Sequence, residues 1–331
     1  MIDRRGFLLG ATGVLAGTAL MPSLRAEAAG PPKSGRVLFG YPPGALGSLI
    51  GRGLTKILAA EEGMTYAFSN VEGRNTRLAS EQAMVAVPDG ATLLQAQSTS
   101  MTLLPNVYKH LGYDPIRDFA PLAVFGDFTF SLTVGPMVPR SVSNLLDYVA
   151  WVKATPDARD VGFSIYGSQG HLSVLMLSQA LDVAIRPLPY KGTAMMIEDL
   201  SDGHIAAGFT AAGNGNADLW TNGTLRSIGV TRGKRLPYWP NIPTLREQGI
   251  EGMDIGGWYG WFAPSRTPSD VVSQWRETLG RIQASPAYRA LNEQLLITDL
   301  DVAPDQISRF MQQETEHYRR LISVLGLAML D

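Results

Sequence analysis

Ser168, Gln169 and His171 stand together in YGSQGHLSV, residues 166–174, where glycines flank a hydroxyl, an amide and an imidazole. Such a stretch can present an activated serine or a cradle of hydrogen-bond donors. The serine reading fails on spacing. A nucleophile elbow needs Gly-x-Ser-x-Gly, and the position two before Ser168 is Tyr166. Metal chemistry has no better footing: His110, His171, His204 and His317 are scattered, with no H-E-x-x-H pattern, and there is no cysteine. GVTRGKR is one residue short of a phosphate-binding P-loop, and no G-x-G-x-x-G follows a strand. No catalytic residue, metal or cofactor is expected, and a hydrolase is the least favoured reading. What remains is binding by neutral groups. YPPGALG, QSTSM, YGSQGH, PYKGT and TAAGNGN are all rich in small or hydroxylated residues and poor in charge. Free N–H groups at helix starts bind anions without an arginine.

The elements around these loops alternate. RVLFGY (36–41) reads as a strand and SLIGRGLTKILAAEEG as a helix with Leu49, Ile50, Leu54, Ile57 and Leu58 on one face and Gly63 as its cap. TYAFSN and ATLLQAQ read as strands. FAPLAVFG and FTFSLTVGP precede a helix capped by Ser141 or Ser143 and stopped by Pro156. VGFSI leads through YGSQG into HLSVLMLSQAL, and the tail repeats apolar residues at Ile307, Met311, Tyr318, Ile322 and Leu325. This order predicts an α/β fold with parallel sheets covered by helices, in which ligands bind at the carboxyl ends of strands.

The amino terminus has the order of an export signal: Arg4-Arg5, an uncharged, mostly apolar run from Gly6 to about Met21, then small residues around Ala28. The paired arginines favour the twin-arginine route, and the run is too short for a membrane helix. Cleavage near Ala28 and periplasmic residence are expected. The chain carries a net charge of −2; removing Arg4, Arg5, Arg25, Asp3 and Glu27 takes away one net positive charge and leaves −3. That balance offers nothing to nucleic acid. Zero cysteines exclude disulfides, so stability rests on the core, for which a 45% hydrophobic fraction is sufficient.

Six stretches follow one another in a recognisable order: YPPGALGSLIGRGL, VPDGATLLQAQSTSMTLLPNVYKHLGYDPIRDFAPLAVF, YGSQGHLSV, PYKGTAMMIEDLSDGHI, RLPYWPNIPTLREQGIEG and WYGWFAPSRTPSDVV. From about Gly35 onward the chain resembles the substrate-binding proteins of tripartite tricarboxylate transporters, the Bug family of extracytoplasmic solute receptors. The resemblance implies a type II periplasmic binding-protein fold: two Rossmann-like lobes with a ligand cleft and a hinge. It implies residues 35–133 plus 257–331 in lobe one and 134–256 in lobe two, with crossings near Leu132–Pro136 and Gly256–Tyr259. A small organic carboxylate is the implied ligand, membrane transporter subunits are the implied partners, and a monomer is expected. A ligand-sensing subunit of a signalling system is the alternative. By family position the ligand meets Tyr41, Gly44, Ala45, Leu46 and Gly47 in the first loop and Ser98, Thr99 and Ser100 in the second. From lobe two it meets Ser168, Gln169, Gly170, His171, Tyr190 and Thr193. Packing at the helix start is an equal alternative for His171, and valine at Gly170 is expected to crowd the ligand.

The departures from the family pattern bear on the ligand. Ala45, Leu46, Gly47 and Ser48 occupy the last four places of the usual Gly-Gly-Pro-Thr-Asp, and EGRNTR (72–77) replaces a run of small glycines. Ala206 and Thr210-Ala211 stand where acidic residues are common, which argues against an amine-bearing ligand. Arg74 is either a charge-assisted contact or a solvated loop residue. Leu46, Met101, Phe130, Tyr166 and Trp258 are either an apolar wall or simply core.

Overall fold

The computed structural model describes residues 30–331, apart from residue 182 and residues 213–216. The export signal with its expected cleavage near Ala28 lies outside the described residues, as does the GNGN end of the TAAGNGN loop.

The first strand, β1 (Ser34–Phe39), buries its last three residues, Val37, Leu38 and Phe39, with both faces covered. A continuous apolar run is what a covered parallel strand requires. It leads into α1 (Leu46–Glu62), whose Leu46, Ile50, Leu54, Ile57 and Leu58 are buried along one stripe. Each such side chain contributes about 1.5–3 kcal/mol of transfer free energy. The helix stops at Gly63, which takes the left-handed conformation (φ 64°) and donates its N–H to the Leu58 carbonyl. β2 (Thr65–Asn70) and β3 (Thr92–Gln97) pair with β1 in parallel on its two sides. The short helix α2 (Arg77–Met84) lies between them in sequence.

FAPLAVFG and FTFSLTVGP form one strand, β4 (Phe119–Val134), of 16 residues. Gly126, at φ 56° and hard against Ile297, sits in the register shift between Phe125 and Asp127 that keeps the strand continuous. From Phe119 to Thr129 the strand pairs antiparallel with β9 (Gly256–Pro264); from Ser131 to Val134 it lies between β7 (Ala207–Ala211) and β8 (Arg226–Val230). β9 also pairs antiparallel with β3, while β5 (Asp160–Ser164) pairs in parallel with β6 (Arg186–Tyr190) and β7. The sheet order is β2-β1-β3-β9-β4-β7-β5-β6, with β8 on β4. The sheet is therefore mixed, where parallel sheets were expected. β4 and β9 return along their neighbours and need no crossover helix between them.

Both passages of the chain between the two halves of the sheet lie side by side. β4 changes partners between Thr129 and Phe130, slightly earlier than the Leu132–Pro136 expected. Ile255 donates its N–H to the Thr231 carbonyl (2.9 Å), and the next residue, Gly256, pairs with Thr129. Arg232 clamps this junction: its guanidinium packs on Gly256 and bonds the Asp127 carboxylate, with Asp254 at 3.5 Å.

The helices cover the sheet. α3 (Leu145–Ala154) is capped by Asn144, whose side chain accepts the Asp147 N–H at 3.0 Å, and not by Ser141 or Ser143. α4 (Gln169–Leu181), α5 (Thr193–Ser201) and α6 (Ala217–Thr221) follow β5, β6 and β7. α7 (Ser269–Ala284) and α8 (Pro286–Leu295) pack near α1, and α9 (Ile307–Leu325) buries Ile307, Met311, Tyr318 and Ile322 as the stripe predicts.

Candidate ligand-binding cleft

Three strand ends converge: Gly40-Tyr41-Pro42 after β1, Ser164-Ile165-Tyr166 at β5, and Pro189-Tyr190-Lys191 at β6. They share the walls of two cavities. The inner one holds about 20 Å³ and is lined by Tyr41, Ala45, Leu46, Gln97, Phe128, Phe130, Ser164, Thr193, Ala211 and Tyr259. The outer one holds about 580 Å³ and has Glu72 to Thr76 as one wall and Tyr166, Tyr190 and Lys191 as another.

The inner pocket has no charged residue in its lining but is rich in unused donors. Helix α1 starts at Ala45, whose extended backbone opens the helix but whose methyl side chain cannot cap it. The Leu46 amide finds no acceptor among the described residues, whereas the Gly47 amide donates to the Tyr259 hydroxyl. Helix α5 likewise starts from Gly192 without a side-chain cap. The Tyr41 hydroxyl is buried with no hydrogen-bond partner; Thr99 approaches without bonding geometry. Burial pushes the phenol well above its usual range, with the Thr99 hydroxyl pulling weakly the other way, so it stays a donor. The Gln97 amide, 7% exposed, has no partner among the described residues either. Aromatic rings close the space: Phe128 stacks on Tyr259 at 4.8 Å and meets Phe130 edge-on at 5.4 Å, while Phe39 stacks on Tyr41 at 5.2 Å. Two uncapped helix starts and a phenol in an apolar shell are groups that together can attract an anion.

Most of the hydroxyl-rich loop residues lie outside this lining, bonded to one another. The Gln169 amide donates to Ser98 Oγ (2.8 Å) and accepts from Thr99 Oγ1 (2.5 Å). Ser98 Oγ also accepts the Trp258 N–H at 3.3 Å, and Ser100 Oγ shares a proton with Thr76 Oγ1 at 3.1 Å. Ser168 Oγ donates to the Ser164 carbonyl (2.7 Å) and accepts the His171 N–H (3.3 Å), closing the first turn of α4. His171 is a packing residue. Its ring stacks on Phe163 at 4.2 Å, Nδ1 accepts the Gly167 N–H at 3.2 Å, and burial lowers its pKa from 6.5 to about 4. It does not serve Ser168 as a base.

Of the residues singled out from the sequence, Tyr41, Ala45, Leu46 and Thr193 come together in the inner pocket, and Arg74 and Tyr190 in the outer chamber. Ser98, Thr99, Ser100, Ser168, Gln169, Gly170 and His171 line neither. Gly44 is exposed, and Gly47 packs against Phe39 and Tyr259. A Cβ at Gly170 would meet Phe163, Ser168 and Phe130 at 3.6–3.7 Å, ordinary contact, so crowding there does not arise from the backbone position itself. Sequence reasoning missed Gln97, Ser164, Phe128 and Tyr259, whereas Ala211, singled out as a departure from the family pattern, lines the inner pocket. Gln97 and Ser164 carry the one signal that could have found them, a polar residue at the carboxyl end of a strand. Met101 and Trp258 are core, whereas Leu46 and Phe130 line the inner pocket and Tyr166 the outer. Among the described residues no group of side chains could hold a metal ion, and no helix is long and apolar enough to cross a membrane.

A mixed α/β sheet whose halves are joined by two adjacent strands, with donors facing a pocket at the strand ends, defines the two-lobed periplasmic binding-protein class. The chain belongs to the tripartite tricarboxylate transporter receptor family, whose sequence profile matches residues 50–327. It is 27% identical to a UPF0065 protein of the gbd 5′ region of Cupriavidus necator, over 98% of this chain and 97% of that one. The structure of periplasmic binding protein BugD superposes with a TM-score of 0.82 at 26% identity, covering 90% of this chain and 98% of its own. That of Rpa4515 from R. palustris with adipate has a TM-score of 0.84 at 24% identity, with the same coverage. Members of this family are receptors of that transporter system.

Proposed function

We propose that the protein is a periplasmic receptor that seats one carboxylate of a small organic acid in the inner pocket and hands the acid to a tripartite tricarboxylate-type transporter. The carrying observation is the set of unspent donors around that pocket: the Leu46 amide, the Tyr41 hydroxyl and the Gln97 amide. A carboxylate supplies the missing acceptors, and charge-assisted bonds offset its desolvation. Adipate in the related Rpa4515 structure supports an acid of this kind. The binding set is Tyr41, Ala45, Leu46, Gln97 and Thr193. Residues 35–133 with 257–331 move as one lobe and 134–256 as the other, closing about the β4–β9 junction. The chain reaches the periplasm by the twin-arginine route with cleavage near Ala28; N-terminal sequencing of the native protein that finds Met1 retained would overturn that step. For the function, thermal shift followed by titration calorimetry should be run with mono-, di-, tricarboxylic and aromatic acids. Selective binding raises apparent stability by about 2.7 kcal/mol at 100-fold excess over Kd. Absence of binding by every acid would sink the carboxylate reading.

A further inference from the structure

The two lobes proposed above also touch each other across the outer chamber, protein group to protein group. Asn75 Nδ2, in the EGRNTR wall (72–77), donates to the Tyr166 carbonyl at 2.9 Å, although 91 positions separate them in the chain. Beside that bond the lobes approach closely enough to require glycine. A Cβ at Gly167 would meet Val107 at 2.7 Å, and one at Gly192 would meet Pro42 Cγ at 2.6 Å. Asn75, Val107 and Pro42 belong to residues 35–133; Tyr166, Gly167 and Gly192 belong to 134–256. These contacts exist only when the lobes are shut.

Both sides of the bond hold strained backbone. Among the described residues five that are not glycine have positive φ: Arg74, Asn75 and Thr76 (51°, 55° and 71°) on one side, Ile165 (69°) on the other, and Leu296 (53°) at the end of α8. Four of the five therefore flank this one contact. Ile165, directly before the accepting residue, is the most strained, because its branched Cβ crowds the chain in that conformation. Strain of this kind collects at clamps and switches. Local bonds hold each side in shape. Thr76 Oγ1 bonds Ser100 Oγ (3.1 Å) and Arg77 Nε donates to the Arg74 carbonyl (2.9 Å), while the Ile165 N–H donates to the Tyr190 carbonyl (3.1 Å). Asparagine suits position 75, since it enters the left-handed region more readily than most side chains.

We infer that Asn75 is a latch: its bond to the Tyr166 carbonyl holds the cleft shut and sets how often the lobes part to exchange ligand. With its amide donor engaged by that carbonyl, Asn75 is a positioning residue that acts on the two walls. It governs the rate of exchange and not the choice of ligand. The inference rests on the two-lobe motion proposed above, and the test separates the two.

The chain has no cysteine, so one introduced thiol can report opening. Ala45→Cys places it at the inner pocket, whose volume of about 20 Å³ does not admit iodoacetamide. Labelling there requires the lobes to part, and its rate follows the open population. Ala123→Cys, within β4 at a position 3% exposed, reports global unfolding instead. Asn75→Gly keeps the left-handed backbone and removes the donor, and Asn75→Asp turns a carboxylate towards the carbonyl. Each should speed labelling at position 45 by about two- to tenfold, the effect of one neutral hydrogen bond, and leave position 123 unchanged. Gly192→Val, on extended backbone (φ −170°) that valine adopts, wedges the lobes apart at Pro42 and should speed labelling at position 45 further. Circular dichroism confirms that each variant is folded. If the wedge speeds labelling and the Asn75 variants do not, the latch is overturned and the two-lobe motion stands. If no variant speeds it, both fall. If the Asn75 variants speed positions 45 and 123 equally, Asn75 only holds the fold together, and the latch is overturned as well.

Discussion

The loops after β1 and β3 both bring polar groups to the carboxyl edge of the sheet, and they use them in opposite ways. After β3, Ser98 and Thr99 are bonded to the two ends of the Gln169 amide, a residue 70 or more positions away. After β1, the Leu46 amide and the Tyr41 hydroxyl have no partner among the described residues. Buried polar groups are normally satisfied. A group left unsatisfied at a cavity therefore points to a ligand more firmly than one that is merely polar. Hydroxyl-rich composition marks both loops; only pairing tells them apart.

That contrast can be broken most forcefully through His171, on the satisfied side. Its folded pKa of about 4 lies below the usual 6.5, so the unfolded chain binds the proton more readily between those values. Its contribution is present above pH 6.5 and is lost as pH falls towards 4, by roughly 3 kcal/mol. His171→Asn, whose side-chain oxygen replaces Nδ1 as acceptor, should lack this component. Urea unfolding of both proteins across that window reads the difference, in which other titrations cancel. If the two curves run parallel, His171 is not held neutral by burial.

Gln169→Ala should cost about 2–3 kcal/mol of stability, because it takes one buried bond from Ser98 and the acceptor from the Thr99 hydroxyl. Denaturant midpoints measure this. A loss of affinity with stability intact would instead move Gln169 to the ligand's side.

Tyr41→Phe should do the reverse. Its hydroxyl has no partner to lose, so the unliganded protein should be no less stable. Carboxylate affinity should drop about tenfold or more, since a bond to a charged group contributes about 1.5–3 kcal/mol. Calorimetry and a melt on the same sample decide it; unchanged affinity would remove the phenol from the pocket's chemistry.

The smallest effect concerns Ser168→Ala. As a helix-start residue it should cost about 1 kcal/mol of stability and leave carboxylate affinity unchanged. A large affinity loss would restore the hydroxyl to the ligand.

Much of the framework was legible because periodicity and caps are local. The α1 stripe, Gly63 and the α9 stripe follow from neighbours within a turn or two. The continuity of β4 was not, since Gly126-Asp127 looks like a break until Ile297 and Thr298 are seen packed against it. The mixed sheet was hidden for the same reason: strand direction is decided by residues more than a hundred positions apart. At the site, the β1 and β6 ends were legible from the loop pattern, including Tyr41, Ala45, Leu46 and Thr193. Gln97 and Tyr259 were not, because they read as ordinary strand residues. No local pattern reveals that Gln169 bonds Ser98.

The side-by-side passage of β4 and β9 also limits how the molecule can flex. Thr129 and Gly256 are paired partners in a ladder, so the two halves are joined by a ribbon and not by two independent threads. A two-stranded ribbon bends and twists easily about axes in its own plane but resists sliding of one strand along the other, which would break the ladder rung by rung. With Arg232 bracing Asp127 and Asp254 across that ribbon, relative motion of the halves is confined to bending and twisting: the pocket's two walls can separate, yet on return they meet in the same register, so the ends of β1 and β6 face each other in the same way each time.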